Sequence, residues 1–111
     1  MTPQEIPNDA NGDVLRRLLK GGDDFTKPRN IDFEFVFERR LSAIAFTEVL
    51  DDKDLEIKIH WYEAESSWNV TVTRHMIPSH DTVTAMEQRL IEVARPFGGR
   101  ADGWGCFVIK S

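Results

Sequence analysis

The 111-residue chain is 41% hydrophobic and carries a formal net charge of −5, which gives it the length and apolar content for one domain around one core. Its pI near 5.1 argues against a sequence-independent grip on nucleic acid, because that affinity comes from Lys and Arg neutralising phosphates. The longest apolar runs, Ala43–Phe46 and Cys106–Ile109, are four residues each, far short of the roughly 20 residues a membrane helix needs.

The start, Met1 to Pro7, lacks the basic opening and apolar stretch of a signal peptide, and the lone Cys106 has no partner for an internal disulfide. The chain therefore reads as cytoplasmic. Residues 1–8, with two prolines, read as a flexible leader, and residues 9–111 as a single domain. Val14, Leu15, Leu18 and Leu19 then recur at helical spacing, with Asp9 or Asn11 as the N-cap and Gly21-Gly22 as the stop.

After the polar stretch Asp23–Asn30 the period changes to two. Ile31, Phe33, Phe35 and Phe37 alternate with Asp32, Glu34, Val36 and Glu38, the strongest strand pattern in the chain. Helical spacing returns over Arg39–Leu50, with Ala43, Phe46, Val49 and Leu50 on one stripe, and the acidic Asp51, Asp52 and Asp54 stop it. Leu55, Ile57, Ile59 and Trp61 then alternate with polar residues, as do Trp68, Val70 and Val72. Two strands this close predict an antiparallel hairpin. A turn centred on Glu65-Ser66 would set Ile59 against Val72, Trp61 against Val70, His60 against Thr71 and Glu56 against His75. Ser79 is placed to cap a long helix in which Val83, Met86, Leu90, Val93 and Phe97 recur, ended by Pro96 and Gly98-Gly99. A last strand is expected over Gly103–Lys110, with both of its alternate sets apolar.

The order strand, helix, strand, strand, helix, strand predicts an α+β, ferredoxin-like split β-α-β two-layer sandwich: a four-stranded antiparallel sheet ordered 4-1-3-2, two helices on one face and an extra N-terminal helix outside the repeat. If the phenylalanines meet the helices, Asp32, Glu34, His60, Tyr62, Thr71 and Thr73 lie on the opposite, open face. RNA-recognition modules of this plan stack bases on central aromatics within a basic surround; here two carboxylates hold the centre and would repel a phosphate backbone, which argues against direct nucleic-acid binding through that face.

His60, His75 and His80 lack metal-ligand spacing, and no cofactor fingerprint is present, so neither a metal nor a cofactor is predicted. A nucleophilic site built from Cys106, His75 and Asp102 is the alternative that would make this a small enzyme or ligand binder, although a strand cysteine is more often inert. A module that oligomerises by pairing open sheet faces is a further alternative. Lys27-Pro28-Arg29 holds two cations on a rigid connection, with Arg29 suited to pair with a carboxylate inside the protein, the favoured reading, or on a partner. In Asp102-Gly103-Trp104-Gly105 the indole either fills the core, with Asp102 as an acceptor for its N–H, or is presented to a partner.

Asn11-Gly12, Gly21-Gly22-Asp23-Asp24, Lys27-Pro28-Arg29 before Ile31-Asp32-Phe33, Met76-Ile77-Pro78-Ser79-His80, and Gly98-Gly99 before Asp102-Gly103-Trp104-Gly105 together resemble the regulator of ribonuclease E activity B (RraB) family over roughly residues 9–110. The resemblance implies a cytoplasmic bacterial protein of ferredoxin-like fold that inhibits the endoribonuclease RNase E by binding it, without catalysis, so that RNase E or another degradosome component is the expected partner. Lys27, Pro28, Arg29, Pro78, His80, Gly103 and Gly105 are then motif positions with structural roles. Asp32, Glu34, His60, Tyr62, Asp102 and Trp104 are the candidate partner-binding residues.

Overall fold

Phe33, Phe35 and Phe37 organise the molecule, because three large apolar side chains on one side of a strand must be roofed by something. The computed structural model describes residues 6–50 and 52–110. In chain order the elements are α1 (Ala10–Lys20), β1 (Arg29–Phe37), α2 (Arg40–Val49), β2 (Leu55–Tyr62), β3 (Ser67–Met76), α3 (His80–Ala94) and β4 (Arg100–Gly105). The strands form one antiparallel sheet ordered β2-β3-β1-β4, giving an α+β fold of four strands and three helices. Leu15 and Leu18 of α1, Ala43 and Phe46 of α2, and Val83, Met86 and Leu90 of α3 join the phenylalanines, Val70 and Val72 in one core. All three helices thus cover the same side of the sheet.

The caps follow the sequence. Asp9 accepts a 2.7 Å bond from the Gly12 N–H at the start of α1, and Ser79 accepts one of 3.0 Å from Thr82 at the start of α3. That bond from Gly12, and then His80, hold the Asp9 carboxyl below the usual carboxylate range. His80 Nε2 lies 2.8 Å from Asp9 Oδ2, and the Asn11 amide donates to Thr84 Oγ1 at 3.1 Å, so α1 is docked along α3 by polar bonds as well as by its leucines.

Residues 1–5 of the expected leader lie outside the described residues. Packing begins before residue 9: Ile6 is 4% exposed and belongs to the core. Gly12 makes room for it, since a Cβ there would stand 1.9 Å from the Pro7 carbonyl oxygen. Gly12→Ala is therefore expected to destabilise the fold by about 1–2 kcal/mol despite the better helix propensity of alanine, as urea unfolding would show.

Three expectations need correction. In the hairpin Ile59 faces Val70, Trp61 faces Trp68, His60 faces Asn69 and Glu56 faces Thr73, two residues away from the predicted register. The reason is the turn: Glu63–Glu65 form a single 3-10 turn and Ser66 takes a left-handed conformation (φ 49°), so Tyr62 already pairs with Ser67. His75 is left opposite Asn30 instead of Glu56, and its Nδ1 lies 3.0 Å from Asn30 Oδ1. Finally, β4 occupies Arg100–Gly105 and not Gly103–Lys110, because the apolar residues after it are drawn off the sheet to bonds with the segment before β1.

Candidate functional site

The face of the sheet turned away from the helices is built by strict alternation, and the pairing places its residues in rows. One row runs Gly105, Asp32, Thr73, Glu56 from β4 to β2; the next runs Glu34, Thr71, Lys58; the third runs Arg100, Val36, Asn69, His60; and Ser67 with Tyr62 ends the hairpin. Asp32 and Glu34 are half-buried at the centre. Thr73 Oγ1 donates to Asp32 Oδ1 at 2.5 Å, and Thr71 Oγ1 donates to Glu34 Oε2 at 2.8 Å. Each carboxylate is thereby oriented by a cross-strand threonine while retaining further acceptor capacity.

His60 and Tyr62 share this face but not this spot. Tyr62 is two strands and two rows from Glu34, on the order of 15 Å by strand spacing. Asp102 is exposed on β4, where the pairing slips by one residue between Phe33–Trp104 and Phe35–Ala101 opposite Glu34. Gly103 sits in that bulge with φ 90°, a conformation that favours glycine, whereas nothing crowds a side chain at Gly105. The sequence-predicted residues therefore line a broad polar face. A depression of about 440 Å³ opens in it between Asp32, Thr73, Glu56 and Lys58, with Phe107 at its rim. Strand alternation revealed Glu56 and Lys58 only as polar positions; their place in the rows comes from the pairing.

Trp104 is elsewhere. It pairs with Phe33, which puts the indole on the helix side of the sheet, 8% exposed and part of the core. Its Nε1–H donates to Asn11 Oδ1 at 2.8 Å, so Asn11 is the acceptor and the expected bond to Asp102 is not formed. Asn11 lies 93 positions from Trp104, and no local pattern in the chain links them.

The Lys27-Pro28-Arg29 motif fastens the end of the chain. Arg29 is 4% exposed and pairs with Asp23, whose side chain is fully buried. The same guanidinium donates to the carbonyls of Asp24 (2.9 Å), Lys27 (3.1 Å) and Phe107 (3.1 Å). Lys27 Nζ donates to the Lys110 carbonyl at 3.2 Å, and the Asp24 N–H donates to that of Ile109 at 2.7 Å. Among the described residues Asp23 Oδ1 and Arg29 Nε are buried without a partner, which offsets part of what the pair contributes. The cluster acts by fixing the path of residues 106–110 beside the open face. Pro78, fully buried, and His80 likewise have structural places, at the lead-in to α3 and against Asp9.

A family model described as regulator of ribonuclease activity B matches residues 8–106, nearly the whole chain. The chain belongs to the RraB family. No curated protein matches it. The region matched to RraB runs from just before α1 to just past β4 and so contains the entire sheet, its open face and the Arg29–Asp23 pair. Membership gives the chain a regulatory role toward ribonuclease activity and implies a protein partner. No helix among the described residues is long and apolar enough to cross a membrane.

In this RraB-family chain the residues of the rival constellation are not hydrogen-bonded to one another among the described residues. His75 faces Asn30, Asp102 stands at the β4 bulge, and among the described residues no hydrogen bond joins either to Cys106. Burial pushes the Cys106 thiol up, with neighbouring Arg29 opposing it only in part, a direction that disfavours the thiolate a nucleophile needs. Among the described residues, no three His, Cys, Asp or Glu side chains are grouped to hold a metal ion.

Proposed function

We propose that this chain is a non-catalytic cytoplasmic inhibitor of the bacterial endoribonuclease RNase E that acts by binding the enzyme, or another component of its degradosome assembly, through the open sheet face. The observation that carries this reading is the pair of half-buried carboxylates, Asp32 and Glu34, fixed by Thr73 and Thr71 at the centre of a face left uncovered by the helices. Oriented carboxylates suit charge-assisted bonds from cationic side chains, and they repel a phosphate backbone, so the face favours a protein over RNA. The net charge of −5 would speed encounter with a basic partner surface. His60, Tyr62 and Asp102 extend the contact outward, whereas Trp104 supports the sheet from behind. The order β2-β3-β1-β4, with α2 between β1 and β2 and α3 between β3 and β4, supports a ferredoxin-like plan with α1 added.

An RNA-cleavage assay with purified RNase E tests this. The chain is expected to slow cleavage, and Asp32→Asn/Glu34→Gln, which removes both charges at constant volume, is expected to weaken binding about tenfold to a hundredfold with an unchanged melt. Undiminished binding by a folded double variant, or no inhibition by the original chain of either RNase E alone or the assembled degradosome, would reject the reading.

A further inference from the structure

We infer that the β2 edge is a self-association surface, on which β2 of a second copy pairs antiparallel about Ile57 to give a continuous eight-stranded sheet. The two edges of the sheet differ. β4 is six residues long, is bulged at Gly103, and leads into the fastened segment 106–110, all features that blunt an edge. β2 is eight residues long and pairs with β3 without a slip, and no other strand among the described residues covers its outer side. Its helix-side residues Leu55, Ile57 and Ile59 are only half-covered, and Trp61 is 45% exposed. An uncovered edge with a partly exposed apolar row is a template for another strand.

Charge selects the occupant and the register. Edges are commonly guarded by charged side chains, and Glu56 and Lys58 on the open side of β2 look like such guards. They have opposite signs and are two residues apart, however, so a two-fold axis at Ile57 sets Glu56 of each copy opposite Lys58 of the other, twice over. The same register sets Ile57 against Ile57 and Leu55 against Ile59 on the helix side, keeping apolar with apolar. Moving the axis to Ile59 would put Lys58 against His60 and lose both ion pairs. A stranger's strand would have to supply this alternation; a second copy supplies it by symmetry. The open faces of the two copies would then join side by side and remain uncovered.

Sedimentation velocity of the chain alone, over a range of concentrations, tests the inference. A reversible dimer is expected. Lys58→Glu, at an exposed position and with an unchanged melt, places like charges opposite each other twice and is expected to weaken the dimer at least about tenfold. Glu56→Lys/Lys58→Glu, which exchanges the signs, is expected to restore it. A chain that stays monomeric at every concentration overturns the inference, as does a dimer indifferent to Lys58→Glu. Protection of the β2 amides from hydrogen exchange only after RNase E is added would assign the edge to a partner's strand and overturn it too. Because the sedimentation runs contain this chain alone, their outcome is independent of whether the inhibitor reading holds.

Discussion

Arg29→Met is expected to lower the unfolding free energy by about 3–5 kcal/mol, the cost of leaving one member of a buried ion pair without the other. Methionine keeps most of the side-chain volume, so the loss reports charge and hydrogen bonds. Asp23 would lose its cation in a site where its side chain has no solvent access, and the carbonyls of Asp24, Lys27 and Phe107 would each lose a donor. The effect is expected to change little with salt, because ions screen buried pairs poorly. Urea unfolding of Arg29→Met, Asp23→Asn and the double variant gives the cycle. The double variant should cost clearly less than the sum of the two, and simple additivity would show that the pair does not act as a unit.

Trp104→Ala is expected to cost a similar 3–5 kcal/mol, since it removes a large side chain from the core between Phe33 and α1. Trp104→Phe keeps much of the apolar contact and loses the bond to Asn11, and about 1–2 kcal/mol is expected. The pair of variants separates an indole that fills the core from one that is offered to a partner. A presented tryptophan could be replaced by alanine with less than about 0.5 kcal/mol of change in stability. Such a result would contradict the burial described above.

The parts of the fold that were readable in the chain are those carried by local periodicity. Ile31, Phe33, Phe35 and Phe37 alternate without interruption, and all four are buried. Val83, Met86 and Leu90 lie on one face of α3, and Asp9 and Ser79 cap the helices they precede. The centre of the open face was readable for the same reason: alternation puts Asp32 and Glu34 opposite the phenylalanines. Registers were less accessible. Ile59 meets a valine whether it faces Val70 or Val72, and a shift of two leaves every side chain on its own face, so packing patterns cannot choose between the two registers. The choice rests on the backbone of Ser66. Trp104 was ambiguous because Gly103 inserts a bulge that resets the alternation, and the apolar run Cys106–Ile109 reads as strand although bonds to Asp24 and Arg29 hold it off the sheet. Neither Trp104 with Asn11 nor Arg29 with Phe107 is close in sequence, and only the folded chain brings them together.

Side-chain methyl groups test most directly whether RNase E docks on the open face, as proposed. With the chain deuterated and its methyls labelled, saturation transferred from bound RNase E should reach the threonine methyls of Thr71 and Thr73 on the open face. It should leave Leu41 and Val49, exposed on α2 on the other side of the sheet, unaffected. Transfer confined to Leu41 and Val49, with Thr71 and Thr73 untouched, would contradict docking through the carboxylate-centred face.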